Sequence, residues 1–126
     1  MAPSSKDILV IDDDKSFCNL VADAFQEHGF HPFTAMDGQS GLSLFKEKHP
    51  PIVLLDVAMP GLNGFQVAAE IRRTETAGEH TLIVIMTAHA RSFFVSQDFE
   101  SGIDSYLTKP MLPDDIVEQV TNLITQ

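Results

Sequence analysis

The chain has 126 residues, of which 44% are hydrophobic, and this size and composition predict one globular domain with a substantial core. The formal net charge is −10 at pH 7, which argues against a nucleic-acid-binding surface because phosphate contacts need clustered Lys and Arg. The acidic balance suits a cation or a basic partner surface instead. The single cysteine, Cys18, excludes an internal disulfide and is typical of a protein of the reducing cytosol.

Residues 1–6 are polar, and we expect them to be a disordered lead-in to a single domain over residues 7–126. No apolar stretch near the start is long enough for a signal peptide or a membrane span. We therefore expect a cytoplasmic protein with no membrane partner. The alternation of strands and helices uses up the remaining residues, so no further output domain is expected in this chain.

Five predicted strands alternate with five predicted helices. Three strands are apolar runs, Ile8–Ile11, Ile52–Leu55 and Leu82–Met86, and the others are a weak strand over Phe30–Ala35 and a short one over Ser105–Thr108. The first helix carries an apolar stripe from Phe17 to Phe25, the second ends near Lys48, and the third follows Gly64. A fourth helix is predicted over 92–101, and Pro113 lies in the first turn of the fifth. This pattern predicts an α/β fold, a five-stranded parallel sheet that is doubly wound with helices on both faces.

Polar side chains follow the strongest strands at the points where they end. Asp12, Asp13 and Asp14 follow the first strand, and Asp56 follows the third. In a parallel sheet these carboxyl ends lie at one edge, so we expect the acids to converge. Close carboxylates repel one another unless a cation neutralises them, and Mg²⁺ prefers such oxygen ligands.

Two further groups follow later strands. Thr87 follows the fourth strand with a hydroxyl donor, and Lys109 follows the fifth with a fixed positive charge. Carboxylates, Mg²⁺, Lys and Thr around one point suit a phosphoryl group. Each residue alone has an ordinary structural explanation, such as a helix cap or a surface charge. The combination favours a functional site.

These residues lie in motifs that resemble the receiver domain of two-component response regulators, in a stand-alone, chemotaxis-regulator-like form. The motifs are ILVIDDD (8–14), LLDVAMPGLNG (54–64), MTA (86–88) and YLTKP (106–110). The resemblance covers about Asp7 to Ile124. It implies the flavodoxin-like (βα)5 topology with strand order 2-1-3-4-5.

The resemblance also implies a phosphoacceptor and a metal site. Asp56 would take a phosphoryl group from a phosphohistidine on a sensor histidine kinase or a histidine phosphotransfer protein. Asp13 and Asp56 would bind Mg²⁺, with Mn²⁺ as the alternative, together with the backbone carbonyl of Ala58. Asp12 would hold a metal-bound water.

The remaining site residues would read and tune the phosphoryl group. Thr87 and Lys109 would contact its oxygens, and Tyr106 would be the aromatic residue whose rotamer reports the state. Ala58 and His89, which follow the phosphoacceptor and the threonine by two residues, would tune its lifetime. A downstream protein would bind the face formed by the fourth helix, fifth strand and fifth helix, with no nucleic acid as a partner. We expect no enzymatic activity beyond self-phosphorylation and autodephosphorylation.

Two other functions stay open on the sequence. Asp12 to Ser16 faintly resembles the signature of haloacid-dehalogenase phosphatases, in which the first Asp is the nucleophile. That family has Thr or Val where Ser16 stands, and its cap and second acidic pair need a longer chain. The other candidate is a receiver-like scaffold that binds partners without phosphorylation, which the retained acids, Thr87 and Lys109 argue against.

Overall fold

The predicted strands form one parallel sheet in the computed structural model, which describes residues 6–57, 59, 61–75, 78–87 and 102–125. The strands are β1 (Asp7–Ile11), β2 (His31–Ala35), β3 (Ile52–Asp56), β4 (Leu82–Thr87) and β5 (Ser105–Thr108). The strand order is β2-β1-β3-β4-β5, which confirms the expected topology. The described helices are α1 (Lys15–Glu27), α2 (Gly38–Lys48), α3 (Gly64–Thr74) and the C-terminal helix (Pro113–Ile124). The helix predicted over 92–101 lies outside the described residues.

The sheet divides the apolar interior into two cores because successive side chains of a strand point to opposite faces. Ile8 and Val10 of β1 belong to one core, and Leu9 and Ile11 belong to the other. The first core is closed by buried residues of α1 and the C-terminal helix, and the second by buried residues of α2 and α3. The doubly wound arrangement thus follows from strands that are apolar on both faces.

Short polar side chains fix where the helices begin. Asp14, Asp37 and Asn63 each accept a hydrogen bond from a backbone N–H in the first turn of α1, α2 and α3 respectively. Such N-caps satisfy donors that have no partner within the helix. Asp37 is therefore the cap of α2, and Gly38 is its first residue.

Cys18 lies in the first core, with its Sγ 3.8 Å from the carbonyl oxygen of Val10. Burial, with the nearby charge of Asp12, raises the pKa of its thiol to about 11. It therefore packs as a small apolar side chain. Across the part of the chain that the structure describes, no helix has the length and apolar character needed to cross a membrane.

Candidate functional site: an acid pocket at the carboxyl edge of the sheet

The carboxyl ends of the strands bring the predicted site residues together. Asp12 follows β1, Asp56 is the last residue of β3, and β1 and β3 are direct neighbours in the sheet. Ligand sites of open α/β sheets form where neighbouring strands lead to opposite faces, and here that position lies between β1 and β3. Lys109 follows β5, and its Nζ reaches this position from two strands away.

Three carboxylates form what we call the acid pocket: Asp12, Asp13 and Asp56. One oxygen from each can be chosen so that all three lie within 4.8 Å of one another. Asp12 has no exposed surface, Asp56 is 8% exposed, and Asp13 is exposed. The pocket therefore has a buried floor and one wall open to solvent.

Lys109 neutralises part of this negative charge. Its Nζ donates a hydrogen bond to Asp12 Oδ2 at 2.9 Å and lies 3.6 Å from Asp56 Oδ2. Burial alone would lower the pKa of Lys109, but its hydrogen bond to Asp12 and the charges of Asp12 and Asp56 raise it above the usual value. Lys109 is consequently a fixed cation in the pocket.

The three consecutive acids have separate roles in the structure. Asp12 Oδ1 accepts a hydrogen bond from the backbone N–H of Asp14 at 2.9 Å, so both Asp12 oxygens have protein partners. Asp14 points away to cap α1 and accepts from the N–H of Phe17 at 3.1 Å. Asp13 supplies the exposed carboxylate. The helix-cap interpretation thus holds for Asp14, and convergence holds for the other two.

Thr87 lies on β4, the neighbour of β3, and Tyr106 lies on β5, the next strand along the sheet. Thr87 is the last residue of β4, 3% exposed, and one position beyond Met86, the register partner of Asp56. Its carbonyl oxygen accepts the backbone N–H of Lys109 at 2.9 Å, which fixes the ends of β4 and β5 together. Tyr106, in β5, is 40% exposed. Ala58 and His89 lie outside the described residues.

Gly64 matters because α3 begins directly against the end of β3. A Cβ built on Gly64 would lie 2.6 Å from the backbone oxygen of Asp56, far closer than real Cβ contacts. The N–H of Gly64 donates to the carbonyl of Val57 at 3.1 Å. Glycine therefore lets α3 support the backbone that carries Asp56.

The acid pocket has the chemistry of a site for a hard divalent cation. Its ligand atoms are carboxylate oxygens, which Mg²⁺ prefers, and the exposed side leaves room for the waters that Mg²⁺ retains. Asp12 is the least available ligand, because it is completely buried and both its oxygens accept hydrogen bonds, from Lys109 and from the Asp14 N–H. The residues present fit the predicted metal.

The sequence did not predict one neighbour of the acid pocket, Phe17. Lys109 Nζ lies 4.7 Å from the ring centroid of Phe17, which the sequence assigns only to the apolar stripe of α1. Phe17 is the first member of that stripe and follows Asp13 by four residues. That spacing was the available signal, but it cannot reveal a contact with a residue far along the chain.

The structure is a doubly wound α/β domain with an acid pocket at the carboxyl edge of its sheet, and known families can be compared with it on that basis. The model of the response regulator receiver domain matches residues 8–121. The chain belongs to the response regulator receiver domain family, whose members act in two-component signal transduction. The resemblance seen in the sequence motifs is confirmed.

Curated relatives are longer than this chain. It is 35% identical over 113 residues to the DNA-binding response regulator MtrA of Mycolicibacterium paratuberculosis, a match that covers 90% of this chain and 48% of MtrA. It is 35% identical over 104 residues to the transcriptional regulatory protein AfsQ1 of Streptomyces coelicolor, covering 82% of this chain and 44% of AfsQ1. The chain thus spans about half the length of these relatives.

A solved structure is similar along its whole length. Response regulator protein TrrA of Thermotoga maritima, crystallised in complex with Mg²⁺-BeF, has 31% sequence identity and a TM-score of 0.80, and the match covers 94% of this chain and 98% of TrrA. The resemblance therefore extends over nearly the complete TrrA chain.

The expectation that nucleic acid is not a partner was wrong. MtrA, at 35% identity, is a DNA-binding response regulator. The expectation rested on the net charge of this chain alone, which describes the surface of a receiver domain. That charge carries no information about the residues of a regulator that lie beyond the match.

Proposed function

We propose that this receiver accepts a phosphoryl group on Asp56 from a phosphohistidine of a sensor histidine kinase or a histidine phosphotransfer protein. The observation that carries the proposal is the convergence of three carboxylates and Lys109 at one edge of the sheet, with Lys109 Nζ 3.6 Å from Asp56 Oδ2. Asp56 is the pocket carboxylate that is neither completely buried nor in the exposed position. It is the natural acceptor.

The transfer is a displacement at phosphorus. A carboxylate oxygen of Asp56 forms the new P–O bond as the P–N bond of phosphohistidine breaks, and the imidazole leaves with the electron pair and takes up a proton. The product, an acyl phosphate, places nearly two negative charges beside the existing carboxylates. Lys109 and the hydroxyl of Thr87 are proposed to bind its oxygens, because preorganised donors stabilise charge without reorganisation.

Mg²⁺, held by Asp13 and Asp56 with the backbone carbonyl of Ala58, would neutralise charge on the phosphoryl oxygens. Mn²⁺ could take its place, and Asp12 would orient a metal-bound water. Within the chain itself, Lys109 keeps Asp12 paired and stops it from competing for the incoming group. The domain would catalyse only its own phosphorylation and the loss of the phosphoryl group.

The phosphatase alternative is less well supported. It requires Asp12 as nucleophile, but Asp12 has no exposed surface and both its oxygens already accept hydrogen bonds. The scaffold alternative leaves unexplained why a cation-compatible acid pocket is retained with Lys109 inside it. Both alternatives predict that Asp56 stays unmodified.

The test is to treat the protein with a small acyl-phosphate donor and Mg²⁺ and then trap the product with borohydride. Borohydride reduces an aspartyl phosphate to homoserine, which peptide mass spectrometry locates. We expect the modification at Asp56 and its loss in Asp56→Asn. An exposed carboxylate on α1, Asp23→Asn, is the matched control. Modification at Asp12, or none in the parent, would contradict the proposal.

Further roles rest on the same proposal. Phosphorylation would draw in Thr87 and change the rotamer of Tyr106, with Ala58 and His89 setting how long the phosphoryl group survives. The names of MtrA and AfsQ1 support control of a DNA-binding activity as the output. A cytoplasmic location stays a prediction from the lone cysteine.

A further inference from the structure

Lys109 is held on two sides. On one side of its ammonium are two carboxylates, with Asp12 Oδ2 2.9 Å and Asp56 Oδ2 3.6 Å from Nζ. On the other is the ring of Phe17, whose centroid lies 4.7 Å from Nζ. A cation within about 6 Å of an aromatic centroid is attracted by the negative face of the ring. The ammonium is therefore placed between an aromatic face and two carboxylates.

Phe17 is itself well anchored. Its backbone N–H donates to the capping carboxylate of Asp14, so the first turn of α1 fixes the position of its Cα. Its half-buried ring packs against the first core, as does Met111 just beyond Lys109. The ring is thus a rigid wall built from α1, while Lys109 arrives on the end of β5.

We propose that Phe17 is a positioning residue for Lys109, holding its ammonium where it can bind the oxygens of the incoming phosphoryl group. A lysine has four rotatable side-chain bonds, and the Lys109 side chain is still 23% exposed, so it has a route to solvent. The ring face takes the place of part of the hydration that Lys109 loses in the pocket. This inference rests on the proposed function for the role of Lys109.

Loss of the Phe17 ring should weaken binding of a phosphoryl mimic without weakening binding of Mg²⁺. The phenyl ring of Phe17 cannot ligate Mg²⁺, so its replacement does not remove a metal ligand. Metal binding should stay as strong or become slightly stronger, because a loosened ammonium competes less with the cation. Binding of a phosphoryl mimic should weaken, because that mimic depends on Lys109.

The chain offers a matched control in a second pair of the same kind. Lys48 Nζ lies 5.5 Å from the centroid of Phe33, which is half-buried and packs against the second core. Phe33→Leu therefore removes an aromatic ring of comparable burial beside a lysine, away from the acid pocket. It reports what loss of ring packing alone does.

The experiment measures two affinities for each variant by NMR titration: Mg²⁺ alone, and beryllofluoride at saturating Mg²⁺. For Phe17→Leu we expect beryllofluoride binding to weaken by roughly fivefold, the size of a partly desolvated cation–π contact, with Mg²⁺ binding no weaker. Phe17→Tyr keeps the ring and should restore the parent affinity. Phe33→Leu should leave both affinities unchanged.

Two results would overturn the inference: parent-like beryllofluoride affinity in Phe17→Leu, or equal weakening of both ligands, which would mean general distortion. If Phe17→Leu does not fold, Phe17→Met, with a flexible apolar side chain, gives the same comparison. A parent that phosphorylates at Asp56 but tolerates Phe17→Leu refutes this inference alone. A parent that neither phosphorylates nor binds beryllofluoride refutes the proposed function as well.

Discussion

At the scale of single residues, Asp12 and Thr81 show two outcomes for a buried polar side chain. Asp12 is fully buried, yet one oxygen accepts from the Asp14 N–H and the other from Lys109. Thr81 is 1% exposed, and within the described part of the chain its Oγ1 has no hydrogen-bond partner. Burial of a polar group costs free energy unless a partner satisfies it. Asp12 is compensated, and the Thr81 hydroxyl is not.

Thr81→Val should therefore stabilise the fold. Val has nearly the same shape and lacks the unsatisfied hydroxyl, so the free energy of unfolding should rise by about 1 kcal/mol. Urea denaturation followed by circular dichroism measures the change. Thr81→Ser is the matched control, because it keeps the hydroxyl and removes the methyl group, and it should destabilise. A Val variant less stable than the parent would indicate that the hydroxyl has a partner after all.

At the scale of elements, α3 is fastened to the amino edge of the sheet by Arg72. Its guanidinium donates to the carbonyl oxygens of Thr81 and Gly102 and to the carboxylates of Glu75 and Asp104. A single side chain thus joins the segments that precede β4 and β5. These contacts lie at the edge of the sheet opposite the acid pocket, so they serve the fold.

Asp104 is the second centre of this network. Its Oδ2 accepts from the backbone N–H of Ile83 at 2.8 Å and from Arg72 at 2.7 Å, and its Oδ1 lies 3.0 Å from His80 Nε2. Burial acts to raise the pKa of Asp104, but the hydrogen bonds from Ile83, His80 and Arg72, with the charge of Arg72, hold it below its usual value of 3.8. The ionised form is therefore favoured in the folded state.

Asp104→Asn should consequently alter the acid stability of the protein. Because the folded pKa lies below the unfolded one, Asp104 contributes stability that is present above the unfolded pKa and is lost as the pH falls through the folded pKa. The free energy of unfolding of the variant should be lower than that of the parent by about 1 kcal/mol at neutral pH. It should also decrease less steeply than that of the parent between about pH 5 and 3. Denaturant titrations at several pH values test this. Asp23→Asn should parallel the parent, and a parallel Asp104→Asn curve would contradict the expectation.

Local pattern was enough to predict the elements. The predicted bounds of the described strands are correct to within a residue or two, and Pro113 marked the start of the last helix. Convergence of Asp12, Asp56 and Lys109 followed from the parallel sheet alone. The separate roles of Asp12, Asp13 and Asp14 and the contact of Phe17 with Lys109 could not be predicted in this way. They depend on side-chain directions at the start of α1. The Arg72 network joins residues about thirty apart and leaves no periodic signal.

At the scale of the whole molecule, the excess of negative charge and its concentration in the acid pocket both affect stability. The chain carries eighteen acidic and eight basic residues, and three of the acids are concentrated in the acid pocket. Like charges held close together destabilise a fold, and functional sites commonly retain such strain. Stability should therefore depend on what neutralises the pocket.

Asp13→Asn should raise the melting temperature in the absence of divalent metal, by roughly 3 °C, because it removes one repelling carboxylate. Mg²⁺ should raise the melting temperature of the parent in a concentration-dependent way and should have little effect on the variant. Thermal unfolding with and without Mg²⁺ tests both. Asp115→Asn, an exposed acid on the C-terminal helix, is the control. An Asp13→Asn protein that responds to Mg²⁺ like the parent would mean that the metal binds elsewhere.

The division of the interior by the sheet has a consequence for how such a domain can change. Ile8 and Leu9 are adjacent in sequence but belong to separate cores. Substitutions at positions without shared neighbours combine almost independently. One face of the domain can thus acquire a new packing arrangement, and with it a new outer surface, while the other stays as it was. The carboxyl edge, which depends on strand order and not on either core alone, is inherited intact through such changes.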